Sequence, residues 1–106
     1  MLHLLPDNEL IIDNDAVIGP GAMIHGCHIG RGSVVEPGAI VCDGSVVGAE
    51  SIVRAGAFVK QRDRFAQQSI LDGFPAKLVD TLAQPPAMPS WALPAEAVAT
   101  TRRVQR

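Results

Sequence analysis

The sequence predicts an all-β solenoid, a run of short parallel strands coiled into a prism, and three observations predict it. Aliphatic side chains fall at Ile12, Ile18, Ile24, Ile29, Val35, Val41, Val47, Val53 and Val59; seven of the eight intervals are six residues and one, Ile24 to Ile29, is five. Four residues after most of these anchors stands a small side chain: Ala16, Ala22, Ser33, Ala39, Ser45, Ser51 or Ala57. Just before the small residue come Gly21, Gly32, Gly38, Gly44 and Gly56.

The anchors cannot follow a helical face, whose period is 3.6, nor plain strand alternation, whose period is two. A six-residue spacing fits a two-residue strand and a tight turn, repeated. Anchor and small residue point inward, so each rung stacks on the next although no single unit could bury its own face. The glycine lets the chain turn where a Cβ would obstruct. Sandwich strands recur every 8–12 residues, so a sustained six excludes that fold.

Residues 1–59 are therefore assigned to the hexapeptide-repeat coils. The polar stretch from Lys60 opens an exit loop, 60–76, in which the period lapses. A C-terminal α-helical segment and tail, 77–106, is expected next. It has a short helix over Lys77–Leu82, a break at Gln84-Pro85-Pro86, and a second helix over Glu96–Arg103 whose arginines suit the negative end of its dipole.

Composition narrows the function classes. With 106 residues, 47% hydrophobic but only 4% aromatic, the chain suits thin stacked layers better than a bulky core. A net charge of −2 argues against a nucleic-acid surface. No segment approaches the ~18 apolar residues of a membrane span, and the start lacks the basic and apolar regions of a signal peptide. Cys27 and Cys42 match no spaced metal motif and read as reduced thiols. A soluble, cytoplasmic, self-associating protein is the expectation.

The segment Ile18-Gly19-Pro20-Gly21-Ala22-Met23-Ile24-His25-Gly26-Cys27-His28-Ile29-Gly30 resembles the γ-class carbonic anhydrase family, which places its five-residue step at the same point. Leu2-His3, followed by Pro6-Asp7 and Ile11-Ile12, resembles that family's Leu-His strand and following loop, and Gly73-Phe74-Pro75-Ala76-Lys77 resembles its exit from the coils. The resemblance implies a left-handed parallel β-helix and a homotrimer. It also implies a zinc (or iron) held between subunits by three histidines, where metal-bound hydroxide hydrates carbon dioxide. By position His3 and His25 match two metal ligands. The third position holds Pro20, which has no donor atom. The family's further coils, with their Arg-Gly-Asp-type stretch, precede the strand at which this sequence starts.

His28 falls where that family shows no ligand and reads as a non-ligand. Cys27 reads as a packing residue, and Glu36 and Asp43 as solvent-facing corner residues. The alternative is a hexapeptide acyltransferase using a coenzyme A thioester, with His25 as base near a subunit interface and a small-molecule acceptor. A non-catalytic assembly subunit is the third reading.

Overall fold

The computed structural model describes residues 9–92. His3, the proposed Glu96–Arg103 helix and the basic tail lie outside them. Within the described residues the chain forms twelve strands. Coil one holds β1 (Ile11–Ile12), β2 (Val17–Ile18) and β3 (Met23–Ile24), and coil two holds β4 (His28–Ile29), β5 (Val34–Val35) and β6 (Ile40–Val41). Coil three holds β7 (Val46–Val47), β8 (Ile52–Val53) and β9 (Phe58–Val59). A last, partial coil follows with β10 (Arg64–Phe65), β11 (Ser69–Gly73) and β12 (Ala76–Thr81).

Every third strand stacks in parallel, giving the prism three faces: β1-β4-β7-β10, β2-β5-β8-β11 and β3-β6-β9. Equivalent residues are eighteen apart from coil two onward, as in Val34↔Ile52 and Ile52↔Ile70. Between coils one and two they are seventeen apart, as in Val17↔Val34, and the missing residue is the five-residue step.

Eight of the nine predicted anchors are buried, Ile12 alone being half-buried, and the small residues from Ala16 to Ala57 are buried with them. Cys27 occupies the small-residue slot ahead of β4, and Leu10 the same slot ahead of β1. Serines are tolerated there because their hydroxyls are used. Ser33 Oγ donates to the Gly48 carbonyl (2.8 Å) and accepts from the Ser51 N–H (3.0 Å), tying consecutive coils together inside the core.

Two assignments are corrected. The exit loop 60–76 does not exist as such: Phe65 and Leu71 keep the six-residue phase, and residues 60–73 add two more strands to the prism. What lapses after Val59 is only the corner glycine, replaced by Arg62 and Gln68, and the apolar outward residue, replaced by Arg64 in β10, to both of which the inward stack is indifferent. The expected Lys77–Leu82 helix is strand β12, antiparallel to β11 with a bulge opposite Ile70 and Leu71. The last rung would otherwise leave a row of unpaired backbone groups, and a hairpin supplies partners that a helix could not. β-branched Val79 and Thr81 suit the strand.

The chain then folds back. Pro85, Pro86, Ala87 and Met88 lie opposite Val17 and Val34, with a groove of about 350 Å³ between them. This face is therefore the covered one. No helix among the described residues is long and apolar enough to cross a membrane.

Candidate functional site

In each two-residue strand the second residue points into the prism and the first points out. The outward set is Ile11, Val17, Met23, His28, Val34, Ile40, Val46, Ile52, Phe58, Arg64 and Ile70. Nine of these eleven are apolar. The two exceptions, His28 and Arg64, both stand on the β1-β4-β7-β10 face, in one column that reads Ile11, His28, Val46, Arg64. Among the two-residue strands β1–β10, outward polar side chains are thus confined to a single face, while the hairpin strand β12 adds exposed Lys77, Asp80 and Thr81 on another.

His28 on that face has a carboxylate partner. Its Nε2 lies 2.8 Å from Oδ2 of Asp13, the residue that leaves β1 at the neighbouring corner. Asp13 is fixed there by its own backbone, its N–H donating to the Ile29 carbonyl (3.0 Å). An ionised carboxylate only accepts, so Nε2 carries the proton and Nδ1 is left with the basic lone pair. Both side chains are about 40% exposed, so a substrate can reach the ring. The rest of Asp13's column, Gly30, Gly48 and Ala66, carries little or no side chain. At Gly30 an added Cβ would meet Ala49 N at 2.5 Å, and at Gly48 it would meet Gln67 N at 2.4 Å, so the coils close up there until only glycine fits.

His25 lies on the other side of the short corner, after β3 and before Gly26 and Cys27; it is half-buried, and its N–H donates to the Val41 carbonyl (2.9 Å). Pro20 stands exposed at the corner before β3, and its carbonyl accepts from Gly38 N–H (3.1 Å). Among the described residues no group of three or more His, Cys, Asp or Glu side chains is placed to hold a metal ion. Pro20 stands at the position the resemblance gives to a third ligand and has no donor atom, so the described residues do not supply three imidazoles.

Cys27 is a packing residue, as its place in the inward column requires. Burial, helped by Asp43 and Cys42, pushes its thiol pKa up to about 12. Burial and then Asp43 raise that of Cys42 as well, so neither is poised as a nucleophile. Glu36 and Asp43 do sit at corners, but each is half-buried and engaged rather than simply solvated: Asp43 Oδ1 accepts from Gly26 N–H (3.0 Å) and Glu36 Oε1 from Ala55 N–H (2.9 Å) of the following coil.

Sequence reasoning passed over the His28–Asp13 pair. One signal could have found it: in a prism with a coil of seventeen residues, positions fifteen apart lie two residues short of stacking, within reach of a side chain across the corner.

With this geometry in view, residues 10–43 match the family model described as bacterial transferase hexapeptide (six repeats). The coils are hexapeptide repeats, and the fold is the left-handed parallel β-helix built from them. No curated protein matches the chain. Among solved structures, a Bacillus cereus protein provisionally named an acetyltransferase is 30% identical over 77% of this chain and 48% of its own, with a TM-score of 0.76. The PerB protein of Caulobacter crescentus, solved in complex with CoA and GDP-perosamine, is 31% identical over 59% of this chain and 30% of its own (TM-score 0.55). A hexapeptide transferase family protein from Anaplasma phagocytophilum, 19% identical over 78% of this chain and 64% of its own (TM-score 0.59), shows the fold alone. This chain thus spans about half the length of the first of these structures. None of the three is named a carbonic anhydrase, and the resemblance to that family finds no support in them.

Proposed function

We propose that the protein transfers an acyl group from a coenzyme A thioester to an amine or hydroxyl, with His28 as general base and Asp13 as its orienting partner. The observation that carries this reading is the His28–Asp13 contact, on the face where the two-residue strands place their outward polar side chains. The similarity to the Bacillus cereus protein and to PerB, which was solved with CoA, supports it.

The steps balance with these residues. Nδ1 of His28 takes the proton of the acceptor N–H or O–H as its lone pair attacks the thioester carbonyl. A C–N or C–O bond forms, the tetrahedral adduct collapses, and the C–S bond breaks. The imidazolium then gives its proton to the departing thiolate, which is released as the free thiol and leaves the base restored. Asp13 keeps the ring in the required tautomer and offsets the positive charge that develops on it. This assigns the base to His28 in place of His25.

The working unit is a homotrimer. Support comes from the third face, where the outward side chains Met23, Ile40 and Phe58 are apolar and only half-buried. Phe74, 75% exposed, stacks on Phe58 with ring centroids 4.7 Å apart and extends that apolar surface.

The test is release of free thiol from acetyl-CoA in the presence of a panel of amine and alcohol acceptors. His28→Gln should lower turnover by about 10²–10⁴-fold, and Asp13→Asn should lower it less, with folding unchanged in both. Turnover that is indifferent to His28 would overturn the assignment.

A further inference from the structure

We infer that Arg64 is an anion-binding residue of the same face, and that the acceptor handled by His28 carries a carboxylate or a phosphate. The inference rests on the acyl-transfer reading for what His28 does, and on the structure alone for where the anion goes.

Three observations lead to it. Arg64 breaks the apolar rule of the outward positions of the two-residue strands β1–β10, and the only other residue of those strands to do so is His28, two places along its own column. Every other cation between β1 and β10, Arg31, Arg54, Lys60 and Arg62, stands at a corner, where polar residues are usual. Second, Arg64 is exposed and makes no ion pair among the described residues, whereas Arg31 donates to Glu50 (3.2 Å). The guanidinium of Arg64 is not spent on the fold. Third, the residue between them is Val46, half-buried and aliphatic. Two strand spacings separate His28 from Arg64, about 10 Å at the backbone. A small molecule lying along the face would meet a base at one end, an apolar floor in the middle and a guanidinium at the other. Guanidinium forks pair with carboxylate and phosphate oxygens alike, so both anions belong to the proposal.

The experiment separates this idea from the chemistry it rests on. Full-length 15N-labelled protein is titrated with 4-aminobutyrate, 3-aminopropyl phosphate and the neutral 4-aminobutanamide, following amide shifts at residues 28, 46 and 64. At least one anionic probe should bind about tenfold more tightly than the amide, the size of one exposed charge-assisted contact. Arg64→Gln should abolish that difference while His28→Gln leaves it intact. Which anion is preferred identifies the acceptor as carboxylate- or phosphate-bearing. Equal affinity for all three probes, or a preference that survives Arg64→Gln, would overturn the assignment. Thiol release from acetyl-CoA is then measured with the tighter probe. Arg64-dependent binding without any thiol release would leave the anion site standing and remove the acyl-transfer reading instead.

Discussion

One corner position shows most plainly how residue identity and backbone demand interact. Asp15, Gly21, Gly32, Gly38, Gly44, Glu50, Gly56, Arg62 and Gln68 all have φ between 58° and 77°. Five are glycine, for which this region is free, and four are not; the stack imposes the turn on whatever residue arrives there. A second glycine type, at Gly30 and Gly48, has ordinary φ and is required by proximity. The two types predict different costs. Gly56→Ala, with open space where its Cβ would go, should cost about 1 kcal/mol, the left-handed penalty of a side chain. Gly48→Ala would drive a Cβ into the backbone of the next coil and should cost about 3 kcal/mol, the upper end of overpacking. Urea midpoints at one fixed protein concentration check the order, and equal losses would contradict the distinction.

Elements of two residues cannot be recognised by their own propensity. What made them legible was repetition: Ile12 to Val59 announced nine strands because the same slot recurred. The reading failed where the slot was kept but its companions changed. Phe65 and Leu71 hold the phase, yet Lys60, Gln61, Arg62 and Asp63 ahead of Phe65 look like loop, since corner residues are free to be polar. Strand β12 was missed for another reason, because its conformation is set by a partner strand rather than by its own sequence. Leu71 tests the correction. It is fully buried in β11 beneath the hairpin, so Leu71→Ala should cost about 2–5 kcal/mol, as for a core leucine. A residue of an exit loop would cost a few tenths. The same comparison explains the site. His25 was visible because it sat in a motif, while His28 and Asp13 became a pair only once the seventeen-residue coil placed them side by side.

At the scale of the molecule, the three faces differ in what covers them. One is closed by the returning chain at Pro85–Met88, one carries His28 and Arg64, and one presents Met23, Ile40, Phe58 and Phe74 to whatever lies outside. Ile40 is the middle residue of the third face. Ile40→Lys puts a charge at its centre without touching the inward stack. Sedimentation equilibrium at micromolar concentration should show a trimer for the parent protein and a smaller species for the variant, with the β-rich circular dichroism spectrum retained. A monomeric parent would contradict the assembly.

The eighteen-residue register has a consequence for how such a chain can change its length. Each six residues added or removed advances everything downstream by a third of a revolution, carrying it to the next face, while eighteen returns it to the face it left. An insertion of six between Val47 and Phe58 would bury the same kinds of side chain and fold by the same rules, yet it would carry Arg64 round to a side of the prism that His28 does not share. Length in this architecture is therefore counted in whole revolutions wherever two coils must cooperate, and a change that stability would accept can still separate the partners of a site.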